Sequence, residues 1–240
     1  MFSESPELYD LIYGSFKDYE AEAAQVADLL GRVAPDAKTV LDVGCGTGEH
    51  ARILRAAHGY EVHGLDIEPG FVELARQKVP ESRFWAGDMA GFSLGTTFDA
   101  VICLFSSIGY VGSTERLVVA LESFRAHLNP GGVAVVEPWF EPQAWHPGRV
   151  YVHRSESDSL HIVRMSHSDV RDRVSLLEFH YLIGTEKGVE HRTEHHDLAL
   201  FTREEMMRAF GAAGFEEVAH DPKGLIGRGL YTARAPVPGV

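Results

Sequence analysis

Cysteines and long apolar runs are scarce in this chain of 240 residues. The two cysteines, Cys45 and Cys103, are too few for a disulfide framework and suit a reducing compartment, so we expect a cytoplasmic protein. No apolar run approaches the roughly 20 residues that a membrane span requires, and residues 1–7 lack the basic flank and apolar core of a signal peptide. The sequence therefore predicts no membrane partner.

Basic residues are also few, since 22 lysines and arginines stand against 35 acidic residues and give a net charge of −13. Nucleic-acid binding depends on clustered basic side chains that displace counterions from phosphates, and the sequence has no such cluster. We therefore expect no nucleic-acid partner and a small-molecule substrate instead. Of the 13 histidines, His195 and His196 are neighbours on a predicted strand and point to opposite faces, so we predict no metal site.

A glycine-rich loop follows the first apolar run, which covers residues 39–43 and is typical of a buried parallel strand. Gly44 and Gly46 allow positive φ and leave bare backbone for a ligand, and helical spacing resumes at residue 47. The third glycine of the dinucleotide-binding pattern is replaced by Glu49. A carboxylate there disfavours a pyrophosphate and suits a ligand with a cationic centre. An ordinary tight turn between a strand and a helix is the alternative.

Later strands end in polar residues at the same predicted edge. Asp66 closes a strand over residues 61–66 and can accept hydrogen bonds from both hydroxyls of a ribose, which does not separate S-adenosylmethionine from NAD. The strand over residues 82–89 ends in Asp88 and Met89. Strands over residues 98–105 and 133–136 follow, the second after an Asn-Pro-Gly-Gly turn. Apolar spacing predicts helices over residues 7–12, 18–30, 47–57, 70–79, 114–128 and 205–212.

Residues 149–153, 160–168, 174–183 and 190–199 alternate between apolar and polar side chains, which indicates an antiparallel sheet. We predict a core of residues 1–140 and 200–235, an inserted lid of residues 141–199, and a tail of residues 236–240. A closing hairpin over residues 215–220 and 229–234 belongs to the core. Apolar residues alternate on two lid strands and predict one apolar face that roofs the site and forms a homodimer contact: Val163, Met165, Leu177, Phe179 and Tyr181.

Several motifs together resemble a known family. The run Asp-Val-Gly-Cys-Gly-Thr-Gly is similar to the first motif of class I methyltransferases that use S-adenosylmethionine. With residues 9–19, 87–89, 105–110, 135–139, 163–168 and 227–230, the chain resembles the N,N-dimethyltransferases of TDP-linked 3-amino-deoxyhexoses in macrolide pathways. The resemblance implies an α/β fold with a Rossmann-like sheet of seven strands, helices on both faces, and two successive methylations of one amine.

The resemblance and the chemistry of methyl transfer suggest roles for single residues. Tyr13 and Tyr110 are candidates to orient the amine, Glu137 is a candidate proton acceptor, and Arg228 is a candidate clamp for the pyrophosphate. The cofactor site is expected to comprise Tyr19, Asp42, Gly44, Gly46, Glu49, Asp66, Ile67, Asp88, Met89 and Leu104. The substrate site is expected to comprise Tyr9, Ser106, Ser107, Trp139 and Arg228.

Other functions stay open at this point. A class I methyltransferase could act on another small-molecule amine or on a hydroxyl. The glycine loop with Asp66 is also compatible with an NAD-linked oxidoreductase, although Glu49 argues against one. A nucleotide-binding module without catalytic activity is the third alternative.

Overall fold

The computed structural model of the protein describes residues 6–237 and 239. The first five residues and two of the predicted tail therefore lie outside the described part. The helices are α1 (Pro6–Gly14), α2 (Tyr19–Val33), α3 (Glu49–His58), α4 (Pro69–Lys78), α5 (Thr114–Ala126) and α6 (Arg203–Ala212), with short 3-10 helices at Ser107–Val111 and Pro142–Ala144. None of the helices in this part is long and apolar enough to cross a membrane.

The larger of two sheets has seven strands in the order β10-β11-β5-β4-β1-β2-β3. Its strands are β1 (Thr39–Val43), β2 (Glu61–Asp66), β3 (Phe84–Ala86), β4 (Phe98–Cys103), β5 (Leu128–Val136), β10 (Glu216–Asp221) and β11 (Leu230–Arg234). The first five strands run parallel, and β11 pairs antiparallel with both β5 and β10. This topology confirms the predicted α/β fold and its strand number.

The alternation of side chains along the central strands explains why helices cover both faces. Val40 and Ile102 belong to one core cluster, which also contains apolar residues of α2, α3 and α4. Their neighbours Leu41 and Val101 belong to a second cluster with α5 and α6. Because both faces are buried, these strands need the continuous apolar runs that the sequence shows.

Two elements differ from their predictions, one at each end of the parallel strands. The predicted turn at residues 129–132 lies inside β5, because Phe98 pairs with Leu128 whereas Ala100 pairs with Val133, and the extra residues bulge out between these pairs. Strand β4 ends at Cys103 rather than at Phe105. Phe105 and Ser106 have φ values of 52° and 62°, and two consecutive left-handed residues end the extended backbone of this strand.

The smaller sheet has four antiparallel strands in sequence order, β6 (Val150–Ser157), β7 (Leu160–Arg171), β8 (Val174–Thr185) and β9 (Gly188–Ala199). Its inner face packs against α1, where Ile12 and Tyr13 meet Ile162 and Tyr181. The fold therefore holds the antiparallel sheet and the first helix together over the larger sheet's ligand edge.

The predicted single apolar face on this sheet is wrong. Arg164 pairs with Tyr181 and Ser166 pairs with Phe179, and cross-strand partners share a face. Leu177, Phe179 and Tyr181 therefore lie on the inner face, whereas Val163 and Met165 lie on the outer face. Alternation within one strand was visible in the sequence, but the register between strands was not.

Candidate active site

A cavity of about 1150 Å³ lies between the carboxyl ends of β1, β2 and β4, the N-terminal helices and the inner face of the smaller sheet. Ligand pockets usually measure about 300–1000 Å³, so this space is large enough for two ligands side by side. Twelve of the predicted site residues line the cavity: Tyr9, Tyr13, Gly44, Gly46, Asp66, Ile67, Asp88, Met89, Ser107, Tyr110, Trp139 and Arg228.

The glycine loop is held against the end of β2. The backbone N–H of Gly44 donates to the carbonyl of Leu65 at 2.7 Å, and that of Gly46 donates to Oδ2 of Asp66 at 2.8 Å. The second carboxylate oxygen of Asp66 accepts from the N–H of Glu68 at 2.9 Å. Burial raises the pKa of Asp66, and these backbone donors oppose the rise. A Cβ on Gly44 would lie 2.7 Å from the side chain of Ser107, so only glycine fits there.

Asp88 and Met89 line the next part of the same wall. Oδ2 of Asp88 accepts from Nη2 of Arg116 at 2.6 Å, and Oδ1 accepts from the N–H of Ala90 at 2.9 Å. The carboxylate is therefore engaged on both oxygens, and its predicted contact with an adenine amine stays a prediction. Arg116 also lines the cavity, and the sequence reading did not single it out.

Six predicted site residues do not line the cavity: Tyr19, Asp42, Glu49, Leu104, Ser106 and Glu137. Tyr19 lies behind the wall with its ring against His50, and Leu104 is buried. Asp42 is 1% exposed beneath the loop, where burial and the charge of Asp66 raise its pKa to about 7. Their predicted contacts with the cofactor or the substrate stay predictions.

Glu49 requires a correction to the argument built on it. One carboxylate oxygen accepts from Nη2 of Arg52 at 2.6 Å, and the other lies 3.0 Å from Nζ of Lys78. These hydrogen bonds and charges hold the pKa of Glu49 below its usual range although burial acts the other way. The carboxylate is thus neutralised by two cations outside the cavity, and it does not decide between a cationic ligand and a pyrophosphate.

Glu137 and Ser106 lie under the loop that follows β4. Oε2 of Glu137 accepts from the N–H of Phe105 at 2.7 Å, and the Ser106 hydroxyl donates to the carbonyl of Pro138 at 2.7 Å. These bonds hold the left-handed residues 105 and 106 in place. Glu137 is only 1% exposed and does not line the cavity in this conformation, so its predicted role as a proton acceptor stays a prediction.

Two arginines line the cavity without an ion pair to any carboxylate in the described residues. Nη1 of Arg228 donates to the Ser106 hydroxyl at 3.0 Å, and its guanidinium lies 4.7 Å from the centre of the Trp139 ring. The guanidinium of Arg164 lies 4.9 Å from the Phe179 ring and 5.3 Å from the Tyr13 ring. Its buried Nη1 has no hydrogen-bond partner within residues 6–237. Such donors are available to an anionic ligand.

Lys17 and Glu22 form a buried ion pair on the cavity wall below Tyr19. The same oxygen of Glu22 lies 3.1 Å from Nε2 of His50, and Lys17 stands 4.2 Å above the Phe105 ring. Burial lowers the pKa of Lys17, although Glu22 opposes this shift. The sequence reading noticed Lys17 only as part of a motif, because a single lysine next to a helix start carries no distinctive spacing.

A buried polar network crosses from the larger sheet to the inner face of the smaller one. The Tyr110 hydroxyl lies 2.7 Å from Nδ1 of His196, and Nε2 of His196 lies 3.7 Å from Oε2 of Glu194. The Tyr181 hydroxyl donates to the same Glu194 oxygen at 3.0 Å. Alternation puts His195 and His196 on opposite faces, but only the pairing of His196 with Leu177 shows that His196 is on the inner face.

The cavity suits S-adenosylmethionine on three observations. Bare backbone at Gly44 and Gly46 leaves room beside Asp66, the residue predicted to bind the ribose. The Asp66 carboxylate lines the wall, is bonded by backbone N–H groups rather than by a cation, and is compatible with a positive charge nearby. The rings of Tyr9 and Tyr13, 4.4 Å apart, present faces that attract a cation. Among the residues that the structure describes, no cluster of three or more metal-ligating side chains occurs.

Comparisons with known proteins agree with this chemistry. A family model described as a methyltransferase domain matches residues 40–132. The dTDP-3-amino-3,6-dideoxy-alpha-D-glucopyranose N,N-dimethyltransferase of Streptomyces fradiae is 45% identical over 231 residues, which cover 95% of this chain and 90% of the relative.

Two solved structures are similar over nearly their whole length. DesVI of Streptomyces venezuelae is 38% identical with a TM-score of 0.89, over 96% of this chain and 98% of the other. CalS10 with bound S-adenosylmethionine, an amino pentose methyltransferase of calicheamicin biosynthesis from Micromonospora echinaspora, is 40% identical with a TM-score of 0.85, over 95% and 96%.

Proposed function

The chain belongs to the family of S-adenosylmethionine-dependent N,N-dimethyltransferases of dTDP-linked amino sugars, and on that premise we propose that its substrate is a dTDP-linked amino-deoxyhexose. The enzyme transfers two methyl groups in succession to the same nitrogen. The relatives differ in the sugar that their names give, one a dideoxyglucopyranose and one an amino pentose. An antibiotic pathway is the proposed setting.

The observation that carries the substrate class is the pair of cavity arginines without carboxylate partners. Buried cations are costly unless a counterion meets them, and this protein is acidic overall. The Arg164 guanidinium lies 5.3 Å from the centre of the Tyr13 ring, and burial raises the pKa of Tyr13 while the charges of Arg164 and Arg228 oppose the rise. A diphosphate that bridges the two guanidinium groups would satisfy them and leave the sugar next to Tyr13.

S-Adenosylmethionine supplies an electrophilic methyl group on a sulfonium. Tyr13 and Tyr110 are the cavity residues proposed to orient the attacking amine by hydrogen bonds to it or to a neighbouring sugar hydroxyl. The rings of Phe105, Phe179 and Trp139 line the same cavity and would limit the contact of the positioned amine with water. Positioning of this kind can account for several kcal/mol of the barrier, and little acid-base chemistry is required for the transfer itself.

The test is mass spectrometry of dTDP-linked 3-amino and 4-amino deoxyhexoses after incubation with the protein and S-adenosylmethionine. We expect gains of one and then two methyl groups on at least one sugar. Thermal shifts with S-adenosylmethionine and with NADH provide a second readout, and stabilisation by NADH alone would contradict the proposal. The same sugars without the nucleotide are expected to react poorly.

Arg228→Met and Arg164→Met test the diphosphate directly. A hydrogen bond to a charged group contributes about 1.5–3 kcal/mol, so each change should raise KM for the nucleotide sugar about 10- to 100-fold. The affinity for S-adenosylhomocysteine should stay within about threefold. Arg171→Met is the matched control, because Arg171 is an exposed arginine at the end of the same strand as Arg164. An unchanged KM in both cavity variants would remove the diphosphate from this site.

We also propose a homodimer, through the outer face of the smaller sheet. Val150, Val152, Met165 and Leu182 lie on this face and are 57%, 63%, 48% and 50% exposed. Four large apolar side chains on neighbouring strands form a patch of the kind that marks protein interfaces. Sedimentation of wild type and Met165→Glu at micromolar concentration tests the proposal. A wild-type monomer near 26.5 kDa would contradict it.

A cytoplasmic location remains part of the same proposal. Both cysteines, Cys45 and Cys103, are free and buried, which suits a reducing compartment but does not require one. Fractionation of the producing cells, with a periplasmic or secreted marker as the reference, is the direct measurement. Recovery of the protein in the same fraction as the secreted marker would contradict a cytoplasmic location.

A further inference from the structure

The proposed methyl transfer does not explain why a polar network is buried beside the cavity. The network consists of Tyr110, His196, Glu194 and Tyr181. His196 and Glu194 are 1% and 3% exposed. Burying an imidazole and a carboxylate is unfavourable compared with apolar side chains of the same size, so a buried network of this kind is a candidate for function rather than stability. Tyr110 and His196 both line the cavity, which puts one end of the network next to the substrate.

The proposed reaction produces protons. An amine flanked by electronegative groups, like an α-amino group, titrates at about pH 8, so most of it reaches the enzyme as ammonium. Only the neutral amine has the lone pair that attacks a methyl group. After the first transfer the nitrogen is again positively charged and must lose a proton before the second. Each turnover therefore moves one proton from nitrogen to solvent, and the aromatic walls exclude the water that would carry it.

We infer that Tyr110 and His196 take this proton: the substrate ammonium donates to the Tyr110 oxygen as the Tyr110 hydroxyl donates to Nδ1 of His196. The inference rests on the proposed function. The N–H bond of the ammonium breaks, the O–H bond of Tyr110 is exchanged, and a new N–H bond forms on the imidazole. Glu194 faces the resulting imidazolium through its 3.7 Å contact with Nε2. The imidazole returns the proton to solvent when the products leave.

The charges around His196 agree with this role. Burial lowers the pKa of His196 while Glu194 opposes the shift, so the ring is neutral and able to accept a proton near pH 7. The positive charge of Arg164 on β7 also lowers the pKa of His196 and so favours the neutral ring. Burial raises the pKa of Tyr110 well above its usual range, so the phenol stays protonated between turnovers. On β8, Tyr181 holds the Glu194 carboxylate and Phe179 packs on the imidazole at 4.9 Å.

The test is the pH dependence of kcat at saturating sugar nucleotide, for wild type, His196→Asn and Tyr110→Phe. Proton transfer by a positioned group typically contributes at least about 100-fold, so each variant should lose at least about tenfold in kcat at pH 6.5. At pH 9, where most of the substrate amine is already neutral when it binds, we expect a loss of less than about threefold in kcat for the first methyl transfer. A role confined to structure would lower kcat by the same factor at both pH values.

His161→Gln is the matched control, since His161 is an exposed histidine on the same sheet. Thermal unfolding and S-adenosylhomocysteine affinity identify any variant that folds poorly, and Glu194→Gln then provides a third variant with the same expected pH signature. Equal losses at pH 6.5 and pH 9 in both His196→Asn and Tyr110→Phe would overturn the inference alone. Wild-type protein that methylates no amino sugar would overturn the proposed function as well.

Discussion

Replacing Gly44 with alanine tests how tightly the glycine loop is built. Gly44 has a φ of +75°, and the left-handed conformation costs an alanine about 1–2 kcal/mol. The new Cβ would also lie 2.7 Å from Cβ and Oγ of Ser107, about 1 Å closer than carbon atoms pack at their optimum. A shift of the loop by that amount weakens its hydrogen bonds to Leu65 and Asp66, which each contribute about 1 kcal/mol.

Gly59→Ala separates strain from collision. Gly59 has a φ of +74° and no atom within 4 Å of its would-be Cβ, so it carries the same conformational cost without the clash. Calorimetric titration with S-adenosylhomocysteine should show affinity unchanged in Gly59→Ala and weakened at least tenfold in Gly44→Ala, because a loss of about 1.4 kcal/mol corresponds to a factor of ten.

The double variant Gly44→Ala with Ser107→Gly completes the design. Removing both side-chain atoms of Ser107 leaves the backbone strain at residue 44 but relieves the collision of its Cβ. The affinity of the double variant for S-adenosylhomocysteine should therefore return close to that of Ser107→Gly alone. If the Kd of Gly44→Ala for S-adenosylhomocysteine lies within twofold of that of Gly59→Ala, the collision is refuted, because the loop then accommodates the Cβ without moving.

Three further predictions concern titratable groups. The pKa of Asp42 is about 7 in the folded protein and about 3.9 in the unfolded chain, so this carboxyl group lowers the free energy of unfolding as pH rises from about 4 through 7. In Asp42→Asn the free energy of unfolding in urea should therefore depend less steeply on pH. An equally steep pH dependence in wild type and variant would count against this. Hydrogen bonds from Arg173 hold the pKa of Glu205 at about 2, so their stabilisation is present above about pH 4.3 and is lost as pH falls through 2. Arg173→Met should therefore lower the free energy of unfolding by about 0.5–1 kcal/mol at pH 7 and progressively less in acid. Burial raises the thiol pKa of Cys45 and Cys103, so a thiol reagent should label neither in native protein at pH 8 and both after unfolding; rapid native labelling would contradict their placement.

The larger sheet was predictable from sequence because its signals are local. Continuous apolar runs mark buried parallel strands, and polar residues at their ends mark a common edge. The same reasoning brought Gly44, Asp66 and Asp88 to one cavity. It misplaced Glu49, because no local pattern shows that Arg52 and Lys78 take up its carboxylate.

The smaller sheet shows what local patterns omit. Alternation identified its strands, but the assignment of Met165 and Phe179 to one face failed, since a shift of one residue in register exchanges the two faces. The same limit hid Arg164 and His196, whose inward direction follows from pairing with Tyr181 and Leu177. Glu137 is a different case: it ends a strand at the right edge, but its carboxylate turns back to the N–H of Phe105.

The division of the cavity between two sheets has a consequence for redesign. Groups next to the glycine loop come from the larger sheet, whereas Arg164 and His196 project from a separate layer with its own hydrogen-bonded ladder. Side chains on that inner face can be exchanged in pairs across β7 and β8 without altering a strand that carries the loop. A library of variants at Ser166, Leu177 and Phe179 would therefore change which amine the cavity accepts while it leaves the S-adenosylmethionine site unchanged.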